Sequence, residues 1–310
     1  MAAAPLAERI GAADRPAHTL HGALFVVVSL AIAFVAPVSA MTLGPLLLGA
    51  PHLVGDLRVL WLQRPGGILD AEILRIFVPL LAMTLVRPAL AIGFPEPAMC
   101  EVALGVVAIA IAAHAGFASS RRRLHVIAAA VPLLAFAMAF APAVQLTLAH
   151  AHNVVAFAAW LVWTRHRGFA WGAAGLYVAA WMAALALPIA DGELDALSFG
   201  ATFATFANGL APGLGSVDGA LVVRSFVFAQ LVHYGIWMFA LPRVEAAREE
   251  RASRGLWIAA VCACAIVPIV GAFDPLGVRS AYLSLVVLHG WFELAVFTFL
   301  AARRVEGKSW

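Results

Sequence analysis

The sequence predicts an all-α, polytopic membrane protein with about ten transmembrane helices and both termini cytoplasmic, and three observations carry that expectation. Of 310 residues, 64% are hydrophobic and only 12% are charged, with a mean hydropathy of +0.95; a soluble domain carries about 25% charged residues. The apolar residues run in stretches of about 20, the length that crosses a bilayer as a helix. Between these stretches, arginine-rich connections alternate with arginine-poor ones, as cytoplasmic and external loops do. A soluble fold is therefore excluded. The net charge of +3 belongs to membrane orientation, not to nucleic acid, because the arginines cluster between the apolar runs.

Taken in order, the first 21 residues form a polar leader with Glu8, Arg9, Asp14 and Arg15. No cleavage site is evident after the apolar run that follows, so a retained helix is expected rather than a signal peptide. Spans are expected near 22–40, 43–63, 73–93, 101–118, 124–142, 144–164, 168–190, 219–241, 255–273 and 281–302, all in a single integral membrane domain over 1–310. The basic connections are Arg58/Arg64/Arg75, Arg121–Arg123, Arg165/Arg167, Arg243 to Arg254, and Arg303/Arg304/Lys308. The others are neutral or acidic: 41–42, Glu96/Glu101, the break at Ala141-Pro142, Asp191/Glu193/Asp195, and Asp274. Residues 191–218 are too polar and Gly-rich for a span, yet carry Leu197, Phe199, Phe203 and Phe206; they are expected to form a long external or re-entrant loop. Cys100, Cys262 and Cys264 make neither a disulfide framework nor a metal-binding C-x-x-C pair.

Ionisable groups inside an apolar span are costly, so they face protein or water and have partners. Here they fall on the even-numbered spans: His52 and Asp56, then His114, then His150, His152 and Asn153, then Gln230 and His233, then His289 and Glu293. In the expected topology all these helices run from outside to inside. His52, His152 and His289 then lie at a similar depth, with His233 one to two turns deeper and Asp56 and Glu293 one turn deeper. Such a layer of imidazoles and carboxylates is expected to form one metal or cofactor site.

Two pairs, His52/Asp56 and His289/Glu293, are spaced i, i+4 and so share a helix face. A carboxylate so placed can orient a metal-bound imidazole or ligate the ion itself; Asp56 and Glu293 are the candidate catalytic groups. His150 and His152 point to nearly opposite faces. His152 shares its face with Gln145, Ala149, Ala156 and Ala159, which favours it as a ligand, with His150 in support. The metal set is thus His52, His152, His233, His289 and His150. His114 is read as an interhelical hydrogen bond, and His18, His21, His125 and His166 as interfacial. Arg58 and Arg224 sit near span ends and are expected to snorkel. Arg87, before Pro88, lies deeper and is expected to meet a carboxylate or a lipid headgroup. Trp61, Phe157, Tyr234, Trp237, Trp291 and Phe292 adjoin the ligand candidates, as cavity lining or as ordinary packing.

Imidazole with carboxylate and no thiolate suits non-haem iron or zinc. The segment Gly49-Ala50-Pro51-His52, with Asp56 four residues on, resembles the PHxxxD signature of the bacterial Brp/Blh-type β-carotene-cleaving dioxygenases. His52 matches that family's first histidine and Asp56 its acidic neighbour, while His233 to Trp237 is similar to a later aromatic stretch. The sequence departs from the family at Met238 and Pro242, where a histidine pair would follow the Trp, and at Leu53, where a glycine is usual. The resemblance implies a multi-span protein with histidine-held iron and a carotenoid-like substrate.

The functional expectation is therefore a membrane-embedded, histidine-rich metalloenzyme, a non-haem iron oxygenase or oxidoreductase acting on a lipid or isoprenoid-like molecule in the bacterial inner membrane. Its partners would be membrane lipids and that hydrophobic substrate. Three alternatives stay open: a zinc-dependent intramembrane lipid hydrolase, a haem protein for electron transfer, and a proton- or metal-coupled transporter.

Overall fold

The computed structural model describes residues 15–54, 71–90, 97–164, 170–187, 197–210, 216–240, 251–285 and 288–306. Among these residues every regular element is a helix. In chain order they are α1 (Arg15–Val35), α2 (Pro37–Gly44), α3 (Ala71–Leu90), α4 (Pro97–Gly116), α5 (Ser120–Ala139), α6 (Ala141–Thr164) and α7 (Ala170–Ala186). They continue with α8 (Phe203–Leu210), α9 (Ser216–Gly235), α10 (Arg251–Cys264), α11 (Ile266–Gly271), α12 (Pro275–Leu285) and α13 (Leu288–Val305). Two π-helical turns, Pro45–Gly49 and Ile236–Ala240, extend α2 and α9.

Among the described residues, five segments are long and apolar enough to cross a membrane: Pro37–Val54, Ala98–Gly116, Ser120–Ala139, Asp218–Met238 and Pro275–Arg303. Ala23–Val35, Leu74–Val86, Trp171–Ala186 and Ile258–Gly271 are apolar but shorter. Large side chains such as Val78, Leu85, Val131 and Phe136 stand exposed along these helices, the arrangement expected where lipid is the solvent. Asp56, Arg58, Trp61, Arg64, Arg165, His166 and Arg167 lie outside the described residues.

Several local expectations are corrected. The first break falls at Ala36, not at 41–42: Ala36 leaves the helical region (φ −147°) and Pro37 opens the next helix. Proline disfavours helical geometry in the residue before it and suits the first helical position. Thr42 is consequently inside α2, buried, its hydroxyl donating to the Val38 carbonyl at 3.0 Å. Residues 191–218 are not loop throughout. Leu197 to Gly200 form a turn with positive φ at Phe199 and Gly200, and α8 follows, burying Phe206 and packing on α9. The rest of that connection, 191–196 and 211–215, lies outside the described residues.

The chain divides into two compact units, 1–55 with 153–276, and 56–152 with 277–310. In the first, α9 is the central helix, packing on α1, α2, α7 and α8. Arg224 on α9 does not snorkel. It is 1% exposed, donates from Nε to the Ala184 carbonyl at 2.7 Å and from its terminal nitrogen to the Leu187 carbonyl, and lies 4.3 Å from the Phe34 ring centre. The last carbonyls of a helix have no partner within it and carry partial negative charge, so a guanidinium at the end of α7 satisfies both needs.

In the second unit, α4 is central and packs on α3, α5 and α13. Its core joins Leu80 and Met83, Val102 and Val106, and Trp291, Phe292 and Phe299. Between helices in lipid there is no hydrophobic drive, so close approach through small residues supplies the packing. Two glycines of α4 provide it. A Cβ on Gly105 would lie 2.1 Å from the Trp291 ring, and one on Gly116 would lie 2.6 Å from Ala302 Cβ and 2.7 Å from the Phe299 carbonyl oxygen.

Two outcomes follow for detergent-solubilised protein. Gly116→Val forces α4 from α13 against backbone that cannot yield, and should lower the melting temperature by an amount corresponding to roughly 1–3 kcal/mol. Gly175→Ala meets nothing within 4 Å and should melt with the wild type or slightly above it. Arg224→Met strands the carbonyls at the end of α7 and should cost roughly 1–3 kcal/mol, with part recovered in Arg224→Lys. Unchanged melting of Gly116→Val or Arg224→Met contradicts the corresponding contact.

Candidate functional site

In the first unit, His52 and His233 are buried together. Their ring centroids are 5.2 Å apart, nearly edge to face, and His233 is 0% exposed. Each histidine adjoins a π-helical turn: His52 follows Pro45–Gly49 by three residues, and His233 precedes Ile236–Ala240 by three. Pro51 has no N–H to give to the carbonyl one turn earlier, so the backbone pairing of this turn is already altered. A helix locally widened in this way re-aims side chains, and such turns recur at functional sites.

The His52 Nδ1 lies 3.2 Å from the Leu48 carbonyl oxygen. A carbonyl only accepts, so Nδ1–H donates and Nε2 keeps its lone pair. Tyr234 stands over the pair, 4.6 Å from the His52 ring and 5.9 Å from the His233 ring. Its hydroxyl accepts a hydrogen bond from Gln230 Nε2 at 2.9 Å. Gly235 lets α1 approach here: a Cβ on it would lie 2.9 Å from the Phe25 ring.

In the second unit, His152 and His289 form another pair, with centroids 6.0 Å apart at 89°. His152 repeats the local geometry of His52, its Nδ1 donating to the Leu148 carbonyl at 3.0 Å, so the lone pair is again on Nε2. Gly290 faces this ring; a Cβ there would lie 3.4 Å from His152 Cγ. Glu293 is 3% exposed, with Oε1 3.7 Å from His289 Nε2. That distance is too long for a hydrogen bond, and it sets the carboxylate beside a ring nitrogen able to bind an ion. Further along the His152 face, Gln145 donates to Glu101, a residue expected in a loop and found instead within α4 and 1% exposed.

These arrangements fit metal coordination. Imidazole nitrogens bind an ion at about 2.0–2.2 Å, so two rings sharing one have centroids no more than roughly 6.5 Å apart. Both pairs meet that limit. His150 is half-buried on α6, two residues before His152 and so turned by roughly 200° from it. Asp56 lies outside the described residues. His114, expected to bond between helices, makes no hydrogen bond or ion pair among the described residues and lines a groove between α4 and α5.

The first unit also holds a cluster of buried aromatic rings. Phe157 stacks on Tyr177 at 4.0 Å and 15°, and Tyr177 meets Phe228 at 5.3 Å and Trp181 at 5.8 Å. Three features were not recognisable as single residues in the sequence. The Gln230–Tyr234 bond has a signal in its i, i+4 spacing, whereas the Glu101–Gln145 bond and the Arg224 cap join distant segments and have none.

No protein-family model matches the chain, and no curated protein or solved structure matches it either.

Proposed function

We propose that this protein is a histidine-rich metalloenzyme of the membrane, a non-haem iron oxygenase or related oxidoreductase acting on a hydrophobic molecule drawn from the bilayer. The observation that carries the proposal is the presence of two imidazole pairs, His52 with His233 and His152 with His289, in helices where lipid would forbid idle polar groups. Iron rather than a softer metal is favoured by the donor set, imidazole and carboxylate without thiolate. Ferrous iron held this way would supply one-electron chemistry toward dioxygen.

The chain's own residues have distinct tasks in this reading. His52 and His152 are held by the Leu48 and Leu148 carbonyls as the Nδ1–H tautomer, which presents Nε2 as the ligand atom. Glu293 stands beside His289 Nε2, where it adds negative charge to balance a cation. Tyr234, its oxygen accepting from Gln230, packs its ring on His52 and fixes that imidazole's orientation. The resemblance at His52 and Asp56 to β-carotene-cleaving dioxygenases points to an isoprenoid-like substrate. The bacterial inner membrane is the proposed location.

Metal analysis of protein purified without chelators tests this directly. Bound iron without a Soret band is expected, and alanine at His52, His233, His152 or His289 should lower metal content sharply. His125→Ala, exposed on α5, should not. Zinc in place of iron, a Soret band, or full metal retention in all four variants would overturn the reading.

A second test uses packing instead of ligands. Gly290→Ala places its methyl at ordinary contact with His152, while the branches of Gly290→Val press into that ring. Alanine should keep the metal and valine should lose much of it, with similar melting temperatures for the apo forms. Glu293→Gln keeps the shape but removes the charge, and activity should fall by about 10–100-fold.

A further inference from the structure

The groove between α4 and α5 takes no part in the metal reading. Its volume is about 320 Å³, and Val107, Ala110, Ile127, Ala130 and Leu134 are among its lining residues. That size is at the lower end of ligand pockets, roughly 300–1,000 Å³. The lining spans residues 106–114 on one helix and 126–134 on the other, a length of about 12 Å at the helical rise per residue. Every lining residue is apolar except His114. A neutral imidazole has one N–H and one lone pair to satisfy, and His114 meets no hydrogen-bond partner among the described residues. The site therefore combines room for a hydrocarbon chain with one polar group.

Charge at one end of the groove indicates what kind of chain. Arg122 and Arg123 stand four residues before Val126 and Ile127, on the same side of α5 as the groove. Arg122 is paired with Glu306 at 2.6 Å, Arg123 donates from Nε to the Phe117 carbonyl at 2.7 Å, and Arg121 makes no hydrogen bond or ion pair among the described residues. Three guanidiniums against one carboxylate leave a positive mouth on an apolar groove. Such basic clusters at a helix end attract anionic lipid headgroups.

We propose that this groove binds one acyl chain of an anionic phospholipid, with the phosphate at Arg123 in the positive field of the Arg121–Arg123 cluster and His114 meeting the ester region below it. The proposal is independent of the metal reading and uses none of its residues.

The test reconstitutes the full chain in phosphatidylcholine vesicles doped with phosphatidylglycerol carrying a photoactivatable diazirine on one acyl chain. Peptide mapping after illumination should find adducts concentrated in 106–114 and 126–134. The same diazirine on phosphatidylcholine should label these segments several-fold less. Filling the groove with Ala110→Trp and Ala130→Trp should reduce labelling several-fold. Arg121→Gln with Arg123→Gln, at the start of α5, should abolish the preference for the anionic lipid and provides a test that does not depend on the tryptophan variant folding. Equal labelling by both lipids, or adducts spread evenly onto exposed Val178 of α7, would overturn the proposal. So would exclusion of lipid by a second copy of the chain, seen as protein–protein crosslinks through α5.

Discussion

A polar group carried into the core of a bilayer has to find its partner inside the protein, because hydrocarbon offers none. Much of this structure answers to that constraint. Arg224 is held inside the first unit because two carbonyls at the end of α7 and the face of Phe34 receive it. Glu101 is held inside the second because Gln145 donates to it. The two histidines that each bond the carbonyl one turn back satisfy one ring nitrogen locally and present the other. A ring held this way has its tautomer chosen by the backbone rather than by solvent.

The same solvent shapes the packing. Without a hydrophobic drive between helices, contact depends on how closely backbones approach, and three glycines allow such approach next to candidate-site residues. Gly105 accepts the ring of Trp291, which lies between His289 and Glu293 in sequence, and Gly290 sits against His152. In the first unit Gly235 admits Phe25 two residues beyond His233. Space for these aromatic and imidazole rings is thus made by the absence of side chains opposite them. That couples helix spacing to the position of these rings.

Composition and apolar run length made the helical, membrane character legible, because both are averages over many residues. The His289/Glu293 pairing was legible from i, i+4 spacing, since both residues lie in one helix. Breaks that depend on a single residue were harder. Pro37 interrupts an apolar run that hydropathy alone carries further, and α8 hides in a segment whose polarity reads as loop. Arg224 and Glu101 were misplaced for a common reason. A charge in an apolar run is read as near a span end unless its partner is known, and each partner comes from a segment about 40 residues away. The π-helical turns beside His52 and His233 carry no periodicity signal at all.

The central claim is that these buried imidazoles are metal ligands. X-ray absorption at the metal edge of the purified, detergent-solubilised protein tests it most directly, because it reports both the element and its nearest neighbours. The account predicts an iron edge with a first shell of nitrogen and oxygen at about 2.0–2.2 Å, no sulfur, and the multiple scattering of imidazole rings. A sample with no stoichiometric metal, or a metal whose shell lacks imidazole scattering, would contradict it.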